Sequence, residues 1–184
     1  MREFCRSDQL FSLCGLNCGL CTMHMGGYCP GCGGGKGNQP CWIARCSLEQ
    51  GGVEYCFQCS QYPCSHYRES DRYDSFITHR NRFQDMEKRK RIGPEAYGAE
   101  QREKQEILKT LLDHYNDGRK KTLFALAVNL LALEALREVM GGLAKTVPPD
   151  ADTQEKAAWA AKLLQAQADE ENILLKLRKK PSNR

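Results

Sequence analysis

From residue 94 to residue 142 the apolar side chains recur at three- and four-residue spacing, whereas the first 67 residues show almost no such rhythm. Ile107, Leu108, Leu111, Leu112 and Tyr115 lie on one face of a helix that turns every 3.6 residues. Gly93-Pro94 closes one helix and opens this one, because the fixed φ of proline suits a first helical turn. Asn116-Asp117-Gly118 supplies the stop, with Asp117 placed to cap the next helix. That next helix, expected from about Arg119 to Met140, is apolar almost all round and belongs in an interior. Gly141-Gly142 is expected to end it. Upstream, Asp74 to Arg91 reads as a weakly periodic helix whose apolar members are Phe76, Ile77, Phe83 and Met86.

Pro148-Pro149 marks a linker over Lys145 to Asp150. Asp152, with Glu155 three residues on, has the form of a capping box for a last helix. Trp159, Leu163, Ala166, Ile173, Leu174 and Leu177 are expected to form its apolar stripe, and the basic end Lys176 to Lys180 complements its dipole.

The opening third follows a different logic. Residues 1–67 hold 11 of the 16 glycines and all but one of the 11 cysteines fall between Cys14 and Cys64, with few aliphatic residues among them. Such a stretch cannot bury enough apolar surface to offset its conformational entropy. Metal coordination is the available substitute, since the binding free energy of such a site becomes folding free energy. The charged N-terminus Met1-Arg2-Glu3-Phe4 lacks the apolar run of a signal peptide, so the expected setting is cytoplasmic, where clustered thiols are metal ligands rather than disulfides.

The remaining composition narrows little. A length of 184 residues with 41% hydrophobic and 27% charged residues is ordinary for a globular protein of one domain, or of one domain with a small module. No segment reaches the roughly 18 apolar residues of a membrane span, and Leu123 to Leu133 is broken by Asn129. A net charge of +4 does not by itself call for a nucleic-acid partner.

The chemistry lies in the spacing Cys14-x3-Cys18-x2-Cys21, Cys29-x2-Cys32, Cys41-x4-Cys46 and Cys56-x2-Cys59-x4-Cys64. Two cysteines separated by two residues place both sulfurs on one ion across a tight turn, and four thiolates complete a tetrahedral zinc shell. In Cys29-Pro30-Gly31-Cys32-Gly33 the last glycine can go left-handed and aim backbone N–H groups at sulfur. Ten thiols make two four-thiolate sites with two to spare, and His24 and His66 would extend the set to three sites. Zinc, two or three ions, is the expected metal; an iron–sulfur cluster is the alternative, because spacing alone does not separate the two. Which cysteines share an ion stays open, and Cys5 lies outside the pattern.

The first triplet has the spacing of a radical S-adenosylmethionine enzyme, but the chain lacks the length and alternation of the barrel those enzymes need. The expected fold is a small metal-stabilised, cysteine-rich part of loops and short hairpins (1–67), packed on a mainly α-helical part (68–142), followed by a linker and amphipathic helix (143–184).

Cys14-Gly15-Leu16-Asn17-Cys18-Gly19-Leu20-Cys21, the Cys-Pro-Gly-Cys-Gly knuckle, Cys41-Trp42-Ile43-Ala44-Arg45-Cys46 and Cys56-Phe57-Gln58-Cys59-Ser60-Gln61-Tyr62-Pro63-Cys64 together resemble domain-of-unknown-function family 3795. The resemblance covers residues 12 to about 67 and extends loosely to Arg91–Ala96 and Tyr115–Lys121. It implies a bacterial or archaeal cytosolic protein whose functional set is Cys14, Cys18, Cys21, Cys29, Cys32, Cys41, Cys46, Cys56, Cys59 and Cys64. No catalytic residue transfers with it.

Other features favour plainer readings. His79 and His114 lie on expected helices as surface residues. Lys88-Arg89-Lys90-Arg91 is a basic run that reads first as a solvated helix end and second as a phosphate contact. Asn116 to Arg119 reads as a helix corner rather than a site with Asp117 as base. Gly33-Gly34-Gly35-Lys36-Gly37 lacks the spacing of a P-loop and reads as a flexible loop. No cysteine is singled out as a reactive thiol, so an enzyme is not the expectation. A zinc-stabilised module that binds a protein or a nucleic acid comes first, and an iron–sulfur redox or metal-handling accessory protein second.

Overall fold

The computed structural model describes residues 4–35 and 41–181. Eight α-helices are formed among them: α1 (Thr22–Met25), α2 (Trp42–Glu49), α3 (Ser65–Glu69), α4 (Arg82–Ile92), α5 (Pro94–His114), α6 (Lys121–Leu130), α7 (Leu133–Thr146) and α8 (Thr153–Glu170). Short 3-10 turns lie at Cys18–Leu20 and Cys56–Gln58. Mostly helical structure is therefore confirmed. No strand forms among the described residues, so the hairpins expected at the knuckles are absent there; one antiparallel bridge, Phe11 to Asn17, closes the loop that carries Cys14. No described helix is long and apolar enough to cross a membrane.

The chain gathers into two compact units, one of residues 1–97 with 177–184 and one of residues 98–176. In the second, α8 packs on α6 and α7. Its buried face is Ala157, Ala160, Leu164 and Ala168, not the stripe expected from Trp159, Leu163 and Ala166. Trp159 is instead 37% exposed, with the Lys162 ammonium 5.4 Å from its ring. Alanines on that face let helices approach closely. Gly141-Gly142 lies inside α7, which runs on to Thr146, rather than ending the helix. The capping box forms as expected, with Asp152 Oδ1 accepting from the Glu155 N–H at 2.8 Å and Glu155 Oε2 from the Asp152 N–H at 3.0 Å. The helix ends at Glu170, so Ile173, Leu174 and Leu177 lie beyond it.

The single helix expected over Arg119 to Met140 is two. Leu131 and Ala132 are extended between α6 and α7, although neither glycine nor proline stands there. The Lys104 ammonium of α5, almost fully buried, donates to the Leu131 carbonyl at 2.7 Å and satisfies a group the break leaves outside any helix. At the preceding corner Asp117 does not cap α6; it accepts from Arg119, and Asn116 Oδ1 accepts from the Lys120 N–H at 3.2 Å.

The first unit has two small apolar clusters. One is Phe4, Leu13, Ile43 and Ala44, and the other is Phe11, Tyr55, Met86 and Tyr97. Buried guanidinium groups supplement them. Arg6 bonds the Phe11 carbonyl and pairs with Glu54 at 3.2 Å. Arg89 pairs with Asp8 at 3.1 Å and lies 4.6 Å from the Tyr55 ring centre. The basic run of α4 is therefore only partly solvated: Arg89 is interior, while Lys90 and Arg91 are exposed. The Tyr55 hydroxyl donates to Asp8 at 2.8 Å, and burial followed by that carboxylate pushes its pKa up to about 12.

The region expected to open a helix at Asp74 is instead a clasp. The Asp74 side chain is fully buried and accepts from the Arg178 N–H at 2.8 Å, from Arg178 Nη2 at 2.9 Å and from the His79 N–H at 2.9 Å. Helix α4 starts only at Arg82, and Phe76 is 72% exposed. His79 is not a surface histidine on a helix: its Nδ1 donates to the Ser70 carbonyl, Nε2 meets Ser75 Oγ, and burial lowers its pKa. Burial alone would raise the Asp74 pKa, but the hydrogen bonds from Arg178 outweigh it and hold the carboxyl below its usual value.

A folded-state pKa below the unfolded one stabilises above the unfolded value, near ~4, and that contribution is lost as pH falls through the folded value. The difference in denaturant midpoint between the wild type and Asp74→Asn is therefore expected to hold from neutral pH to about 5 and to close below about 4. A difference that persists at the acid end would remove the ionic part of the clasp.

Candidate metal centre

The Cys14–Cys21 segment folds as a tight loop because Gly15 permits it. Gly15 has φ +86°, and a Cβ there would lie 2.7 Å from both the Arg82 carbonyl oxygen and Met86 Cγ. Tyr67, packed beneath, donates its hydroxyl to the Cys14 carbonyl at 2.7 Å. Ser12 Oγ accepts from the Leu16 N–H at 2.7 Å and lies 3.3 Å from Cys14 Sγ. The Ser12 hydroxyl thus shares a hydrogen bond with the Cys14 sulfur while it holds the Leu16 N–H. In the knuckle, Gly33 takes φ +80°, as expected. The other glycine-rich residues of that loop, from Lys36 to Pro40, lie outside the described residues.

All eleven cysteines are free thiols. Burial first, and the thiols of Cys32, Cys14, Cys21 and Cys29 after it, raise the Cys18 pKa well above the ordinary thiol value. Cys46, Cys56, Cys59 and Cys64 line one cavity of about 30 Å³, walled by Ile43, Val53, Tyr62 and Tyr67. That is room enough for water. Burial raises Cys46 and Cys56 too, with Cys64 among the neighbours of both. The 3-10 turn Cys56–Gln58 presents Cys56 and Cys59 together, held by the Tyr55 N–H donating to Gln58 Oε1 at 2.9 Å. Cys41 is exposed as a residue, but burial raises its thiol pKa, with Cys14 as its neighbouring sulfur. Cys5 is exposed.

Donors surround these sulfurs. Burial raises Cys32, opposed by the Leu13 N–H aimed at it and by the Arg6 guanidinium. The Ala44 and Ile43 N–H groups at the start of α2 act likewise on Cys41. Buried thiols stay protonated when they face only one another, and an ion that takes them as thiolates releases those protons. N–H, O–H and guanidinium groups aimed at sulfur are what a thiolate-rich site needs to spread its negative charge.

Among the described residues, no three or more His, Cys, Asp or Glu side chains stand as a ready-made ion shell. The thiols face one another across space instead of meeting at a point. The chemistry of the donor set, with four thiols lining one cavity, nevertheless suits a thiophilic metal. His24 donates Nδ1–H to the Cys29 carbonyl at 2.9 Å, an orientation that ligating histidines share, and leaves Nε2 as its acceptor nitrogen. His66 lines the cavity edge and packs edge-on to Trp42, ring centres 4.5 Å apart.

Sequence reasoning found the thiols but missed Ser12, Arg6 and Tyr67, which no motif spacing marks. No family model, curated protein or solved structure matches this chain, so the arrangement of its own thiols and their donors carries the functional reading.

Proposed function

We propose that the first unit is a zinc–thiolate module, in which two or three ions set the shape of a binding surface for a partner protein. The observation that carries this reading is the cavity that Cys46, Cys56, Cys59 and Cys64 line together. The second thiol group around Cys18 supports more than one ion. Metal-bound loops of this kind hold a surface rigid without a large apolar core, which suits a unit with two small clusters. The setting that keeps such thiols reduced is the cytoplasm.

A protein fits as partner better than a nucleic acid. Arg6, Arg82 and Arg89 are all buried beside Glu54, Asp71 and Asp8, which leaves Lys90 and Arg91 as the exposed cations of the basic run. Tyr28, Trp42 and Phe76 are exposed, and aromatic side chains of this kind anchor protein interfaces.

The full chain, purified without air and without added metal, is expected to be colourless and to carry zinc as its dominant metal by elemental analysis. Iron with acid-labile sulfide and a brown colour would replace zinc by an iron–sulfur cluster and make electron transfer or metal handling the role. Titration with a random-sequence single-stranded oligonucleotide at physiological salt is expected to show no saturable binding. Saturable binding that weakens steeply with salt would make nucleic acid the partner.

A further inference from the structure

Trp42 opens helix α2, and helix α3 carries His66 and Glu69 three residues apart, hence on one face. With Ser70 these side chains line an open cleft of about 360 Å³, within the size range of ligand-binding clefts. Ser70 is held in place, its hydroxyl donating to the Tyr67 carbonyl at 2.8 Å and accepting from Arg82 Nη1 at 2.8 Å. The Trp42 side chain is 40% exposed. Its perpendicular contact with the His66 ring, centres 4.5 Å apart, covers at most one face of the indole. The Glu69 carboxylate is exposed, and among the described residues no ion pair or hydrogen bond engages it.

Elsewhere this chain lays cations over its aromatic rings. Arg82 lies 4.0 Å from the Tyr67 ring centre, Arg89 4.6 Å from that of Tyr55, and Lys162 5.4 Å from that of Trp159. Among the described residues Trp42 has no such cation. Arg82, which bonds Ser70, is already committed to Asp71 at 3.1 Å. An open indole and an unpaired carboxylate lining one cleft together favour a cation with a flat apolar surface.

We propose, on the reading of the first unit as a protein-binding module, that this cleft receives an arginine side chain of the partner, its guanidinium stacked on Trp42 and paired with Glu69. A guanidinium is planar and weakly hydrated and forks two N–H groups onto a carboxylate, whereas an ammonium is a compact, strongly hydrated point charge. An exposed ion pair alone is weak, and the indole adds a second attraction to the same group.

The full chain with Trp159→Phe, purified with its metal, keeps Trp42 as its sole tryptophan. Its fluorescence is titrated with acetyl and amide-blocked tripeptides that carry arginine, lysine or citrulline between two glycines. A saturable change is expected with the arginine peptide, at a dissociation constant about ten-fold or more below that of citrulline, the uncharged isostere. Glu69→Gln is expected to weaken the arginine peptide about three- to five-fold. Equal binding of arginine and citrulline, or binding unmoved by Glu69→Gln, would overturn the proposal, and lysine bound as tightly as arginine would overturn the stacked guanidinium. Calorimetry on the chain with both tryptophans makes the same comparison, so the outcome stands even if Trp159→Phe fails to fold. A zinc-bearing chain that ignores the arginine peptide would overturn the cleft and leave the metal module standing. A chain that carries iron yet binds the peptide would do the reverse.

Discussion

On the zinc–thiolate proposal, a strong chelator under reducing conditions is expected to melt the first unit and to spare the second. Binding free energies of structural zinc at neutral pH are on the order of 10–16 kcal/mol in small zinc domains, and there they count as folding energy. The first unit has little to put in their place: two clusters of four buried residues each, joined by loops and short helices. In the second, Phe124, Leu136, Leu143, Ala157, Ala160 and Leu164 have no exposed surface at all. Hydrogen exchange with mass spectrometry reads both units in one experiment. Protection should vanish across residues 12–19 and 42–49 and persist in α7 and α8. Protection that survives chelation in the first unit would show that packing alone holds it, and loss in both together would deny the units separate stability.

Replacing Arg82 by alanine should cost about 3–5 kcal/mol, the scale on which removing one partner of a buried charge pair is felt. Its side chain is 1% exposed, and the guanidinium pairs with Asp71 at 3.1 Å, donates to Ser70 Oγ at 2.8 Å and to the Tyr67 carbonyl, and covers the Tyr67 ring at 4.0 Å. Its loss would leave Asp71 with the longer contact to Arg178, at 3.8 Å, and the Tyr67 carbonyl with the Ser70 hydroxyl, at 2.8 Å. Arg82→Lys should recover only part of the loss, because an ammonium cannot reproduce the planar fork. Urea unfolding followed by a probe in the first unit measures both variants. A change below about 1 kcal/mol for Arg82→Ala would mean that Asp71 and Tyr67 find water or other partners without it. Since Tyr67 in turn bonds the Cys14 carbonyl, the same variant should bind metal more weakly than the wild type.

What the chain made legible follows from the range of the forces involved. The Asp152–Glu155 capping box is a contact between residues three apart, and the expected bonds form. Leu108 and Leu111, on the expected face of α5, are fully buried. The helix break at Leu131 was hidden because a lysine 27 residues away satisfies the carbonyl. Asp74 looked like a helix start because its partner, Arg178, stands 104 residues on. The alanine face of α8 was overlooked for another reason: small side chains give a weak periodic signal even where close helix contact makes them the best choice. Among the cysteines, spacing marked the ten candidates, but the Tyr67 hydroxyl behind Cys14 comes from a segment 53 residues away that only folding brings there.

The Asp74–Arg178 clasp bears on how the protein is made. A ribosome delivers residues 4–97 early, yet the carboxylate at position 74 must wait for more than a hundred further residues before its guanidinium emerges from the exit tunnel. Until then Asp74 has no choice but to remain hydrated, and the segment from Asp71 to His79 cannot settle. The segment from Asp71 to His79 is therefore completed only after residues more than a hundred positions later have been made. Removing residues 177–181 should leave nascent and mature protein alike with an unlatched opening segment, open to proteases between residues 70 and 80.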